Sequence, residues 1–258
     1  MTFFVVEDLS IRFGGIRAIA QLSLTLEQGG IYGLIGPNGA GKTSLINAIT
    51  GPVAIADGRI ILDGSELQDL PAHRIAAAGV GRTFQHAEPL ADQTVLENLR
   101  TGGYAHRGSA LLQDLLGTPA KRAAERQPTG EARAMLGRFG IENLGAALTA
   151  DLPFGTLKKV DIARALMARP RLLMLDEPVS GMNMSEAQEA ITTCRRIAQE
   201  LGVTLMVVER NMRVIMELAE TIFVLDHGEK IAEGTPHEIQ RDPLVIEAYL
   251  GASGPADA

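Results

Sequence analysis

The stretch GPNGAGKTS, residues 36–44, decides how the rest of the chain is interpreted. It has the spacing glycine, four residues, glycine, lysine and threonine. The apolar run IYGLIG precedes it, and KTSLINAIT follows with apolar residues at helical spacing. A glycine-rich loop between a strand and a helix can wrap closely around phosphate, because glycine adopts backbone conformations closed to other residues. The sequence therefore predicts a phosphate-binding loop.

All nine residues of this loop are candidates for binding ATP together with Mg²⁺. Lys42 is expected to reach the β- and γ-phosphates, Thr43 to offer a hydroxyl to Mg²⁺, and Ser44 to bond the α-phosphate. N–H groups of the loop and of the helix start would point at the anion. The alternative is a glycine-rich turn with an incidental lysine, which the strand and helix on either side disfavour. The remaining candidates are Gly36, Pro37, Asn38, Gly39, Ala40 and Gly41.

A phosphate loop of this kind needs an acidic partner on a neighbouring strand. The run RLLMLDEP, residues 171–178, is typical of a buried strand that ends in two acids. Asp176 is the candidate for holding Mg²⁺ through water, and Glu177 for activating the attacking water as general base. An acid pair that caps a helix opened by Pro178 is the alternative. The phosphate loop elsewhere in the chain favours the catalytic interpretation.

The bulk composition restricts the class of protein. A chain of 258 residues is long enough for one large domain or for two lobes that share a core. Its net charge of -7 comes with scattered acids and argues against nucleic acid as the main partner. A single cysteine, Cys194, excludes an internal disulfide framework and is expected to face the core from a helix.

Other patterns predict the compartment and the secondary structure around the loop. We find no apolar run near the ~18 residues of a membrane span and no signal peptide, so the cytoplasm is expected. The first thirty residues alternate as strands do, and a hairpin is expected to turn at His227 and Gly228. A helix is expected over SEAQEAITTCRRIAQELG, with serine as its cap.

Several ordered motifs extend the interpretation to nearly the whole chain. The block LPFGTLKKVDIARALMARPRLLMLDEP, residues 152–178, resembles the segment from the signature motif to the acid-tipped strand in ATP-binding cassette (ABC) ATPases. GRTFQHAEPLADQTVLENL, residues 81–99, resembles their Q-loop region. SGMN, residues 180–183, occupies the D-loop position, and residues 228–239 match the closing hairpin.

This resemblance implies a fold and a division of the chain. The fold class is α/β: a P-loop NTPase core with an N-terminal antiparallel β lobe and an inserted helical lobe. Residues 1–258 would form a single ABC ATPase domain. Residues 1–83 and 156–258 would supply the β lobe and the nucleotide-binding core, and residues 84–155 a mostly helical signature lobe.

The resemblance also implies roles for three further residues. Phe13 stands where the family stacks an aromatic ring on adenine, although a core aromatic is the alternative. Gln85 stands where the amide contacts Mg²⁺ or the attacking water, and otherwise is a polar residue at a helix start. The N–H of Gly155 would meet the γ-phosphate of a nucleotide held by a second subunit, or Gly155 is a capping glycine.

A finer resemblance is to the longer ATPase subunit of branched-chain amino-acid importers. It is carried by RFGG at residues 12–15, by RTFQ followed by TVLENL, and by RDPLVIEAYLG at residues 241–251. It implies integral-membrane permease subunits, a second ABC ATPase subunit and, indirectly, a substrate-binding protein as partners, with no nucleic acid. The chain would lie peripherally on the cytoplasmic face of the inner membrane.

The signature motif departs from the family pattern at residues 153, 154 and 156, and the switch segment departs from it at residues 210 and 211. Pro153 replaces the usual serine of the signature motif and offers neither a hydroxyl nor an N–H. Arg210 stands at the position of the switch histidine, where it either clamps the γ-phosphate or forms a salt bridge on the surface. These changes suggest the hypothesis of a subunit that binds ATP and hydrolyses it slowly beside a more active partner.

Three other functions are weighed against transport of amino acids. A nucleotide-gated subunit that does not turn over ATP would explain Pro153 and Arg210. Importers of urea or short amides use similar ATPases. A soluble ABC ATPase that acts on ribosomes or DNA is discounted, because the chain has one cassette, no sustained heptads and no basic stripe.

Overall fold

The structure is a computed structural model that describes residues 2–83, 89–104 and 119–251. In these ranges the backbone forms an antiparallel sheet, a mostly parallel sheet and helices packed against them. Gln85, one of the predicted site residues, lies outside the described residues. Among the helices that are described, none combines the length and the apolar character needed to cross a membrane.

The antiparallel sheet comes from the first third of the chain. Its strand order is β2-β1-β4-β5, and Gly14 and Gly15 form the turn between the first two strands. Alternate side chains of the first strand, such as Phe4 and Val6, are fully buried, as the alternating sequence predicts. The strands are β1 (Thr2–Phe13), β2 (Ile16–Glu27), β4 (Asp57–Leu62) and β5 (Ser65–Glu66).

The second sheet has the order β10-β9-β3-β8-β7-β6, and all its neighbouring strands run parallel except β10, which is antiparallel to β9. Every residue of the three central strands is buried, as expected for a parallel sheet covered on both faces. Its strands are β3 (Ile31–Ile35), β6 (Val80–Arg82), β7 (Leu172–Asp176), β8 (Thr204–Val208), β9 (Thr221–Asp226) and β10 (Glu229–Gly234).

The central strands separate two hydrophobic cores. Ile31 and Ile35 of β3 belong to the core shared with the helices, whereas Leu34 belongs to the core under the antiparallel sheet. In β7, Leu173 belongs to the core shared with the helices and Leu172 belongs to the core under the antiparallel sheet. Because successive side chains of a strand point to opposite faces, the sheet supports one layer on each side.

Helices cover both faces of this sheet and form a separate group in the middle of the chain. α3, α4 and α5 pack together, with Leu99, Leu136 and Val160 fully buried among them. The helices are α1 (Lys42–Ile49), α2 (Ala72–Ala77), α3 (Val95–Tyr104), α4 (Pro119–Arg138), α5 (Phe154–Met167), α6 (Met184–Leu201), α7 (Met212–Leu218), α8 (Pro236–Ile239) and α9 (Pro243–Gly251).

The predicted fold class is confirmed, with an antiparallel sheet, a P-loop α/β core and a group of helices in the middle of the chain. The hairpin of β9 and β10 turns at His227 and Gly228, both with positive φ, as predicted. The predicted boundary between residues 155 and 156 falls in the first turn of α5. The division of the chain at that point stays a prediction.

Helix α6 corrects one detail and confirms another. Its cap is Asn183 rather than Ser185: the Asn183 side chain accepts from the Glu186 N–H, and the Glu186 carboxylate accepts from the Asn183 N–H. The Cys194 thiol is buried in the core, as predicted, and this burial raises its pKa to about 12. A thiol with that pKa is unreactive at neutral pH.

Gly36, which follows β3, provides a test of the packing between the loop and the sheet. Its φ is 150°, and a Cβ added there would lie 2.1 Å from the carbonyl oxygen of Leu225 in β9. We expect Gly36→Ala to lower the free energy of unfolding by about 1–3 kcal/mol more than Gly64→Ala does. Gly64 is the matched control, since it has φ 77° and an added Cβ there meets open space. Equal effects of the two substitutions in urea denaturation would contradict the prediction.

Candidate nucleotide site

The glycine-rich loop joins the carboxyl end of β3 to the first residue of α1, as the sequence predicts. Gly39 and Gly41 have φ values of 81° and 100°. A Cβ at Gly41 would lie 2.7 Å from the carbonyl oxygen of Ala18 in β2. Glycine is therefore required where the loop passes the antiparallel sheet. No side chain caps the start of α1, which leaves N–H groups of its first turn for another acceptor.

Lys42, the first residue of α1, is buried, and its ammonium lies inside the loop. It donates to the carbonyl oxygens of Gly36 (2.6 Å) and Pro37 (2.9 Å). Burial lowers the pKa of Lys42, and the nearby guanidinium of Arg210 lowers it further. The ammonium is thus held where a phosphate group would be a stronger acceptor than the two carbonyls.

One cleft of about 420 Å³ brings together most of the predicted site residues. The antiparallel sheet contributes Arg17 and Ala18 to its wall, and the β9–β10 turn contributes His227. Gly36 and Pro37 line an adjoining recess rather than this cleft. The predicted residues in its lining are Asn38, Gly39, Ala40, Gly41, Lys42, Thr43, Ser44, Asp176, Glu177 and Arg210.

Asp176 ends β7 at the bottom of the cleft and is buried. Its carboxylate pairs with Arg82 of β6 over 3.0 Å, and Arg82 also donates to Oδ1 of Asn47 in α1 over 2.5 Å. The backbone N–H of Asp176 donates to Oγ1 of Thr83. Two consecutive residues at the end of β6 therefore hold the acid, and α1 in turn holds Arg82. The sequence analysis did not identify Arg82 as a site residue. The feature that could have indicated it is a charged residue at the end of a short apolar strand.

Glu177 has a strained backbone and a charged partner. Its φ is 48°, a left-handed conformation that costs a residue with a Cβ about 1–3 kcal/mol and that is typical of functional sites. Its N–H donates to the carbonyl oxygen of Val208 in β8 (2.8 Å). Its carboxylate accepts from Nε of Arg210 over 2.5 Å. Arg210 thus forms a salt bridge, which is one of the two alternatives that the sequence leaves open for it. Its partner in this salt bridge is Glu177, the predicted general base.

Glu209, which sequence reasoning did not assign, connects the loops that carry these two residues. It is buried, and its carboxylate accepts from the N–H groups of Val179 (3.1 Å), Arg210 (3.1 Å) and Asn211 (3.4 Å). Burial raises the pKa of Glu209, while these backbone hydrogen bonds act in the opposite direction. The carboxylate therefore fixes the segment after Glu177 to the segment after β8.

Two further predicted residues line neither this cleft nor the adjoining recess. Phe13 ends β1 and is about half exposed. Gly155 is in the first turn of α5, where an added Cβ would lie 3.6 Å from Met182 and 3.7 Å from the Glu186 carboxylate. Adenine stacking by Phe13 and contact of Gly155 with a second subunit's nucleotide stay predictions.

A glycine-rich loop after a central parallel strand, with an acid pair at the end of a neighbouring strand, defines a P-loop NTPase. The antiparallel sheet that borders the cleft and the group of helices in the middle of the chain place the protein in the ATP-binding cassette class.

Comparison with known proteins agrees with this class. The family described as ABC transporter matches residues 19–180, and this chain belongs to that family. Residues 229–254 match the family described as branched-chain amino acid ATP-binding cassette transporter.

Relatives are similar over nearly the full chain. The high-affinity branched-chain amino acid transport ATP-binding protein BraF of Pseudomonas aeruginosa is 38% identical, over 95% of this chain and 96% of the relative. LivG of Salmonella typhimurium, with the same description, is 37% identical over the same shares. The solved ADP conformation of an ATP-binding cassette from an ABC transporter has a TM-score of 0.82 and 27% identity, covering 97% of this chain and 99% of that one.

The pair of Arg82 and Asp176 gives a testable stability prediction. The side chains are 11% and 5% exposed, so Arg82→Met leaves a buried carboxylate without this cation. We expect the free energy of unfolding to fall by about 3–5 kcal/mol. The control is Arg59→Met, because Arg59 pairs with Glu7 at 57% and 42% exposure and such pairs contribute under about 1 kcal/mol. Chemical denaturation measures the free energy of unfolding of both variants. An equal loss in the two would contradict the prediction that the buried pair of Arg82 and Asp176 stabilises the fold more than the exposed pair.

Proposed function

We propose that this chain is the ATP-binding and ATP-hydrolysing subunit of a membrane importer for branched-chain or other amino acids. The observation that carries the proposal is the convergence of Lys42, Thr43, Asp176 and Glu177 on one cleft. This set offers a cation for phosphate, a hydroxyl and a carboxylate for a metal, and a second carboxylate for proton transfer. Nearly full-length similarity to BraF and LivG supports branched-chain amino acids as the class of transported substrate.

The donors of the cleft fit Mg·ATP. The Thr43 hydroxyl and the Asp176 carboxylate are oxygen donors at one end of the cleft, and Mg²⁺ prefers oxygen ligands and retains water. Thr43 would bind the ion directly and Asp176 through water, while the ion neutralises charge on the phosphates. Lys42 and the loop amides would hold the β- and γ-phosphates, with Ser44 at the α-phosphate. Phe13 would stack on adenine and Gln85 would contact the ion or the attacking water.

Glu177 would act as general base once its carboxylate is released from Arg210. The pair is partly open to solvent, since Arg210 is 57% exposed, and a γ-phosphate would offer the guanidinium a more highly charged partner. Arg210 would then clamp the phosphate while Glu177 orients and deprotonates the attacking water. This exchange of partners reconciles the two alternatives for Arg210 that the sequence leaves open.

The proposed assembly is a head-to-tail pair of ATPase subunits on integral-membrane permeases at the cytoplasmic face of the inner membrane. The pair is either a homodimer or a heterodimer, and Gly155 of one subunit would meet the γ-phosphate in the other. A substrate-binding protein would select the substrate. Residues that choose a transported molecule are not expected in this chain, so importers of urea or short amides stay an alternative.

A second candidate is a subunit that hydrolyses ATP slowly beside a more active partner. The observation that favours it is the ion pair of Arg210 with Glu177, because the predicted base is occupied by a permanent cation. Histidine at that position has a pKa near neutrality and can be neutral. A third candidate, a subunit that is gated by nucleotide without turnover, would leave Glu177 without a catalytic role.

The decisive experiment measures ATP turnover of the complex assembled with permeases and partner subunit. We expect Glu177→Gln to reduce turnover at least about 100-fold, because the general base is lost, while Mg·ATP affinity stays within a few-fold. Glu229→Gln, at an exposed acid of β10, is the control. A well-folded chain that does not bind Mg·ATP would refute the proposal. Turnover that is insensitive to Glu177→Gln would support the third candidate.

Replacing Arg210 by histidine tests the slow-hydrolysis candidate. This candidate predicts that the single-turnover rate rises by up to about fivefold, because releasing a partly exposed ion pair is worth about 1 kcal/mol or less. Arg213→His, at an exposed position of α7, is the matched control. An unchanged rate for Arg210→His in the assembled complex removes this candidate.

A further inference from the structure

Lys158 is a buried lysine with no assigned function. It lies in the second turn of α5 and is 2% exposed. Its ammonium donates to the backbone carbonyl oxygen of Glu177 over 3.2 Å. Lysine is seldom fully buried unless its charge is compensated, so the fold retains this ammonium at a cost in desolvation.

The surroundings of Lys158 are those of a structural cation. Its ammonium lies 5.6 Å from the centre of the Phe154 ring, one turn earlier in α5. Burial lowers the pKa of Lys158, and the carboxylates of Asp161 and Glu209 act in the opposite direction. The ammonium therefore lies between the start of α5 and the buried acids behind the cleft.

Two buried charges hold the segment at residues 177–179 from different sides. Lys158 donates to the carbonyl of Glu177, and Glu209 accepts from the N–H of Val179. The first contact fixes the peptide plane that follows the left-handed Glu177 backbone. Because that conformation is strained, contacts from outside the segment must maintain it.

The start of α5 is in turn packed on the segment after Val179. A Cβ added to Gly181 would lie 2.8 Å from the Phe154 ring, so the ring approaches this backbone closely. Gly155 is in the same turn of α5, one turn before Lys158. A shift of this helix end therefore moves Lys158 against the Glu177 carbonyl.

We propose that Lys158 is a positioning residue that couples the start of α5 to the backbone of Glu177. The inference rests on the proposed function, in which Gly155 contacts the nucleotide of the second subunit. A phosphate bound there would stabilise α5 in the position where Lys158 holds Glu177 for catalysis.

The test compares Lys158→Met and Lys158→Arg in the assembled complex. We expect Lys158→Met to lower kcat about tenfold, the effect of losing a charged hydrogen bond, with KM for ATP within about twofold of wild type. Lys158→Arg retains a buried donor and should recover most of kcat. Lys159→Met is the matched control, because the half-buried Lys159 pairs with the exposed Glu189, away from Glu177, and its loss should leave kcat unchanged.

The outcomes separate positioning from a purely structural role. An unchanged kcat in a folded Lys158→Met complex overturns the proposal. A loss of kcat that Lys158→Arg fails to restore, with an equal loss of thermal stability in both variants, also overturns it. If Lys158→Met does not assemble, Lys158→Gln replaces it under the same criteria. Absence of hydrolysis in the wild-type complex would instead refute the proposed function on which this inference rests.

Discussion

The parallel pairing of β3, β8 and β7 is the constraint on which the site depends. Leu34 and Asp176 both pair with Val208, so the three strands end at the same edge of the sheet. The phosphate loop, the acid pair and the Arg210 loop leave that edge together. All three strands are buried on both faces, and a one-residue slip would exchange the side chains of the two cores. The same packing that stabilises the fold therefore fixes the relative positions of the predicted catalytic groups.

Elements with a strong local pattern were predictable from the sequence, whereas contacts between distant segments were not. The phosphate loop and the strand that ends at Asp176 have regular spacing and clear apolar runs. Arg82 and Asp176 are 94 positions apart in the chain, and the spacing of apolar residues in a sequence does not predict a contact between such distant residues. The cap of α6 was ambiguous, because Asn183 and Ser185 each have Glu or Gln three residues later, and only packing selects between them. Phe13, Gln85 and Gly155 depend on a nucleotide or on a second subunit, so their roles are carried by resemblance alone.

Three of the cations in and beside the cleft have acceptors within the protein. Lys42 is bound by loop carbonyls, Arg82 by Asp176, and Arg210 by Glu177. The buried pair of Arg82 and Asp176 is the strongest of these, since little solvent screens it. The contacts of Lys42 and Arg210 are the ones that a triphosphate can replace with more highly charged acceptors. Binding of a triphosphate would therefore change the partners of Lys42 and Arg210 and leave the pair of Arg82 and Asp176 in place.

The two departures from the family pattern have different physical consequences. Pro153 precedes α5 and has no side-chain acceptor for the N–H groups of the first turn, so the start of this helix depends on packing of Phe154 and on Lys158. Arg210 keeps a permanent charge next to Glu177, but this partly exposed pair is worth about 1 kcal/mol or less. In the proposed function a γ-phosphate would displace this pair, so arginine at this position would slow the release of the proposed base without preventing it. The cleft thus contains Lys42, Thr43, Asp176 and Glu177, and in the proposed function the departures would act on how readily these groups reach their working positions.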